Sequence, residues 1–123
     1  MAITWTIDHH QRTLVAECDG VVTLRELENY LAAVVEAGTA SYRKLFDSSR
    51  ATTSMTEEEI VMLGVRIRAC HGGSVMGPLA LVVASDQPQG LDRVFGALAA
   101  ADRPIRIFRA VRAARRWLDT QVN

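Results

Sequence analysis

The chain has 123 residues, 14 Lys+Arg against 14 Asp+Glu, 49% apolar and 23% charged residues, the composition of one ordinary soluble globular domain spanning 1–123. Its neutral charge supplies no field to gather nucleic acid. No stretch approaches the roughly 18 apolar residues of a membrane span, and no basic start leads into an apolar run, so a cytoplasmic protein without membrane insertion is expected. A chain of this length buries a core without disulfides or a structural metal.

Ile3, Trp5 and Ile7 alternate with Thr4 and Thr6, the period-two pattern of a half-buried strand. Asp8 to Arg12 supplies a polar turn, and 13–18 read as the returning strand of an antiparallel hairpin, closed at its far end by Asp19-Gly20. Thr23 and Glu26 then stand three apart before Leu27, Leu31, Val34 and Val35, so hydroxyl and carboxylate can satisfy orphan backbone donors reciprocally. The spacing predicts a helix over about 24–37, stopping at Gly38. A short strand over 43–47 follows, ending at Asp47, and then a Ser/Thr-rich loop from Ser48 to Met55. Thr56 with Glu59 opens a second helix, with Ile60, Leu63, Ile67 and Cys70 on one face and Gly72-Gly73 at its end.

After Pro78, Leu79 to Ala84 are apolar without a break, as in a strand covered on both faces, which makes this run the candidate central strand. Pro88 introduces a third helix carrying Leu91, Val94, Phe95 and Leu98. Ile105 to Phe108 form the last strand. A closing helix over about 110–119 buries Val111, Ala114, Trp117 and Leu118 and turns Arg112, Arg115 and Arg116 outward. The order β-β-α-β-α-β-α-β-α predicts an α/β fold with a mixed five-stranded sheet, helices packed on it and right-handed parallel crossovers.

This element order resembles that of the anti-sigma-factor-antagonist fold group, the STAS domains, and their lipid-carrier-like relatives. The resemblance covers nearly the full length and rests also on Gly20-Val21-Val22-Thr23 before the first helix, a strand ending in Asp47, and Ile107-Phe108 before a helix ending in Trp117-Leu118. It implies a non-enzymatic regulatory domain whose partner is a protein, a kinase or an anti-sigma-like regulator. In switch-type members of the group, a Ser or Thr at the start of the second helix is phosphorylated by a partner kinase, and the unphosphorylated form binds that partner. The group's motif is Asp-Ser-Ser-Gly. Asp47-Ser48-Ser49 matches its first three residues, with Arg50 in place of the Gly, whereas Ser54, Met55 and Thr56 match its position before the helix. Asp47, Ser48, Ser54 and Thr56 are therefore the phosphorylation or partner-binding candidates. The lipid-carrier-like relatives imply the alternative, a small apolar ligand held between the second and third helices by Met62, Met76, Val94 and Phe95.

Other constellations read more simply. Thr56 is a helix cap before it is a phosphate acceptor, and Glu57, Glu58 and Glu59 would repel a phosphate. Cys70-His71 with Asp47 has the residue types of a nucleophile, base and orienting acid, but Cys70 falls on an apolar helix face and reads as a core thiol. Cys18 and Cys70 lack CxxC spacing and read as two buried free thiols, and Asp8-His9-His10 as a solvated turn; no metal or cofactor is expected. The loop Gly72 to Gly77 runs from helix to strand, opposite to the polarity of phosphate-cradling loops, and reads as a mobile connection or lid. Acids outnumber bases ten to five over 1–60, and bases outnumber acids nine to four over 61–123. The arginines of the closing helix read as a solvated face. A homodimer would use the hairpin side of the sheet or an exposed apolar helix face.

Overall fold

In a computed structural model, residues 2–73, 75–84 and 103–121 are described. Five strands form one sheet in the order β1 (Ile3–Asp8), β2 (Thr13–Val21), β3 (Arg43–Thr52), β4 (Leu79–Val82) and β5 (Ile105–Phe108). The first pair is antiparallel and the rest are parallel. Helices α1 (Leu24–Glu36), α2 (Glu57–Gly73) and α3 (Val111–Asp119) complete the described elements. The helix expected after Pro88 lies outside the described residues.

Strand alternation decides the two faces. Ile3, Leu14, Ala16, Cys18, Phe46, Leu79 and Leu81 point to one side and form a core with Leu27, Leu31 and Val34 of α1 and with Leu63 and Ile67 of α2. Leu45, Ala80 and Val82 point to the other side, against Ala114 and Leu118 of α3. Each fully buried Leu, Ile or Val contributes roughly 1.5–3 kcal/mol relative to exposure. All four residues of β4 are buried, as an uninterrupted apolar run should be. In the sheet order, however, β3 rather than β4 is the middle strand.

Both hairpin strands and β3 depart from the expected bounds. β2 continues through Asp19-Gly20 to Val21, because β3 runs alongside it that far. β3 has ten residues rather than five: Ser48, Ser49 and Arg50 belong to the strand, not to a loop. Between Glu17↔Asp47 and Asp19↔Arg50 the register takes two steps along β2 and three along β3. One extra residue at Ser48-Ser49 thus makes a bulge that lets polar residues stay in the ladder.

The helix ends follow their capping chemistry. At α1 the Glu26 N–H donates to Thr23 Oγ1 at 3.2 Å. The Glu26 carboxylate does not close the box on the Thr23 N–H but accepts the Ala2 N–H at 2.8 Å, tying the start of β1 to the helix. After α1, Gly38 sits at φ +72°, with Gly38 N–H donating to Val35 O and Thr39 N–H to Val34 O, both at 3.0 Å. This is the pairing of a glycine-terminated helix. At α2 the box is reciprocal: Glu59 N–H donates to Thr56 Oγ1 at 3.2 Å, and Thr56 N–H to Glu59 Oε1 at 3.0 Å. The last turn of α3 is held by Arg43 of β3, whose Nη1 donates to Leu118 O at 3.1 Å. Val111 is more exposed than its pattern suggested, and Trp117 is half-buried.

The connection from α2 to β4 is pinned rather than lid-like in its described second half. Met76 and Gly77 are buried, and Gly77 N–H donates to Ala40 O at 2.9 Å. A Cβ on Gly77 would lie 2.3 Å from Ser41 O and 2.4 Å from Tyr42 O, so only glycine permits this approach.

Candidate functional site

Strands β2 to β5 run in one direction, so their carboxyl ends lie together, the edge where open α/β sheets bind ligands. Asp47 pairs with Glu17 on one side and Val82 on the other. Its Oδ1 accepts the Ser49 N–H at 3.0 Å and the Ser49 hydroxyl at 2.7 Å, so the carboxylate shapes the bulge. Ser48 points inward, is 4% exposed and donates its hydroxyl to Val82 O at 2.9 Å. That placement makes Ser48 a structural hydroxyl in this conformation, not an accessible acceptor.

The segment between β3 and α2 is held at both ends. Thr53 donates its hydroxyl to Val22 O at 2.9 Å and accepts the Met55 N–H at 3.2 Å. Thr56 is occupied by its cap. Between them Ser54 is exposed, and its hydroxyl has no hydrogen-bond partner among the described residues. Ser49, the third residue of the motif match, and Thr53 build this corner, although neither is among the sequence candidates. The dense run of Ser, Thr and Asp was the available signal, read there as a loop.

Two of the four apolar-ligand candidates fall among the described residues, and these two lie apart in burial. Met62 is 54% exposed on the outer side of α2, whereas Met76 is buried in the core. Val94 and Phe95 lie outside the described residues. A groove of about 550 Å³ runs instead between α1 and α2, lined by Leu31, Val35, Arg66, Ala69 and Cys70. A larger cavity of about 670 Å³ lies between the hairpin and α3, with Asp8, His9, Arg43, Arg115 and Asp119 on its wall.

Cys70 is half-buried against the core, not fully buried as expected, and Cys18 is buried; both are free thiols. Burial, then the charges of Asp47 and Glu26, pushes the Cys18 thiol up to about 12. His71 Nδ1 accepts the Met76 N–H at 3.2 Å, which commits that nitrogen to the end of α2. His9 Nδ1 lies 2.8 Å from Tyr42 Oη, with the rings edge to face. Among the described residues no three His, Cys, Asp or Glu side chains gather as a metal site. No described helix is long and apolar enough to cross a membrane.

A second polar group emerged that the pattern did not flag. Lys44, the chain's one lysine, is 2% exposed and donates to the carbonyls of Ala40 and Tyr42. Burial, then the charge of Arg103, lowers it to about 7. Arg103 itself is lowered to about 10 by burial. Burial also raises Tyr30, whose ring meets those of Trp5 and Phe46 edge to face at centroid distances of 5.2 and 5.5 Å. A lone lysine beside Leu45-Phe46 was the sequence signal.

No family model matches the sequence, and no curated protein does. Solved structures do match in fold. The anti-sigma factor antagonist SpoIIAA in its unphosphorylated form is 11% identical, with a TM-score of 0.59 over 97% of this chain and 99% of that one. A DUF3478-family protein with a SpoIIAA-like fold from Shewanella loihica is 18% identical, with a TM-score of 0.62 over 95% and 94%. An anti-sigma factor antagonist from Mycobacterium paratuberculosis is 16% identical, with a TM-score of 0.56 over 95% and 94%. With its mixed five-stranded sheet, the chain has a SpoIIAA-like, STAS-type α/β fold.

Proposed function

We propose that this chain is a non-enzymatic regulatory domain that binds a protein partner through the corner formed by the Asp47–Ser49 bulge, Ser54 and the start of α2. The observation that carries the reading is Ser54, an exposed hydroxyl without a hydrogen-bond partner among the described residues, between the pinned Thr53 and the capping Thr56. A phosphate there adds nearly two negative charges beside Glu57, Glu58 and Glu59 and so changes the docking surface without breaking the cap. Thr56 serves less well, because its oxygen already holds the Glu59 N–H. The fold shared with two proteins named as anti-sigma factor antagonists supports a kinase or anti-sigma-like regulator as the partner class.

The test compares full-length wild type with Ser54→Asp and Ser54→Ala, each purified from the cells of origin, by native and phosphopeptide mass spectrometry. A stoichiometric protein partner held by wild type and Ser54→Ala but released by Ser54→Asp, with phosphate mapped to Ser54, is expected. A partner retained equally by all three, with no phosphate over 53–56, overturns the assignment. The second reading, a small apolar ligand, draws on the groove between α1 and α2; a discrete non-protein mass in place of a partner would favour it.

A further inference from the structure

Helix α2 faces the core with Leu63, Gly64 and Ile67, yet its opposite side is not polar. Val61, Met62 and Val65 are 65%, 54% and 58% exposed there. A surface helix ordinarily turns charged residues outward, and three large apolar side chains within about one turn form a patch that calls for a cover. The outward residues Glu58, Val61, Val65, Arg68 and Gly72 follow one another at steps of three, four, three and four, the spacing of a seam between two paired helices. One end of the seam is acidic and the other basic, and both Glu58 and Arg68 are exposed.

We propose that two copies of this chain associate through α2, antiparallel about a two-fold axis level with Leu63. In that arrangement each Glu58 meets the partner's Arg68 and each Val61 meets the partner's Val65, so every outward residue from 58 to 68 in the seam finds its complement by symmetry. Met62 flanks the apolar centre, and the two helix dipoles oppose each other favourably. A parallel pairing would set Glu58 on Glu58 and Arg68 on Arg68, which fixes the antiparallel sense. A membrane surface fits less well, because an interfacial helix borders its apolar strip with Lys and Arg, whereas this one opens on Glu57, Glu58 and Glu59. One helix pair is a small interface, so the dimer forms in a concentration-dependent manner.

Sedimentation velocity of the full chain across a concentration series at low ionic strength tests the proposal. Wild type is expected to pass from monomer to dimer. Glu58→Arg alone and Arg68→Glu alone, each breaking two symmetric pairs, should raise the dissociation constant at least about tenfold. The double variant carrying both swaps should recover the wild-type constant, a rescue that damage to the fold would not give. Val65→Asp should be monomeric with an unchanged circular-dichroism spectrum. Wild type that stays monomeric up to about 1 mM, or single swaps that leave the dimer unchanged, overturns the proposal. So does a monomer that co-sediments with phosphatidylcholine/phosphatidylserine vesicles and loses them on Val65→Asp, since α2 would then be a lipid-facing helix.

Discussion

Lys44 carries a titration that the charge balance of the chain conceals. Its amine is lowered to about 7 by burial and by Arg103, against about 10.4 in an unfolded chain. Between these values the unfolded state binds the additional proton, so stability rises with pH there and is lost as pH falls toward the folded value, at up to about 1.4 kcal/mol per pH unit. Cys18 acts in the opposite sense. Its folded value of about 12 keeps the proton on while the unfolded thiol loses it above about pH 9, so the rise should stop near that point. Urea denaturation between about pH 7 and pH 9 should therefore show increasing stability, and Lys44→Met should flatten the increase. A slope preserved in the variant would place the titration on another group. The two thiols should also differ in labelling at neutral pH, with half-buried Cys70 reacting before buried Cys18; the reverse order would contradict the packing.

The second helix and the connection after it show how much an element depends on single contacts. Thr56→Ala removes the hydroxyl that accepts the Glu59 N–H and should cost about 1 kcal/mol in chemical denaturation. Gly77→Ala should cost more, about 2–4 kcal/mol, because its Cβ would meet the backbone carbonyls of Ser41 and Tyr42, which cannot turn aside as a side chain would. A Gly77→Ala protein as stable as wild type would show that the approach to Ser41 is looser than described. The reciprocal Thr56–Glu59 box and the Thr23 cap are both legible in the sequence. What was not legible is that the Glu26 carboxylate, while accepting the Thr23 hydroxyl at 3.4 Å, also accepts the N–H of Ala2, a residue 24 positions away.

Across the fold, Arg43 links parts that the chain order keeps far apart. It reaches Leu118 O at 3.1 Å in α3, Gln11 O at 2.9 Å in the hairpin turn, and Thr13 Oγ1 at 3.3 Å in β2. Arg43→Met should cost about 2–3 kcal/mol, since one partly buried guanidinium serves three acceptors. Arg43→Lys should recover little of it, because an ammonium is a point donor without the planar fork. Thermal unfolding distinguishes the two, and full rescue by lysine would mean that charge rather than geometry holds the junction.

Local sequence determined the elements whose signals are short-ranged. The alternation of Ile3, Trp5 and Ile7, the Thr23 and Thr56 caps, Gly38 and the apolar β4 each act through neighbours within a few residues. The order of those elements was enough to suggest the sheet and its resemblance. Tertiary structure alone decided that Ser48 to Thr52 extend β3, because a strand rich in serine is held by pairing with β2 and by a bulge, not by its own propensity. It also decided which hydroxyls stay exposed: Ser48 turns inward to Val82 O, while Ser54 remains outside. The burial of Lys44 and the exposure of Val61, Met62 and Val65 on α2 depend on what packs above them, a non-local quantity that composition and periodicity do not encode.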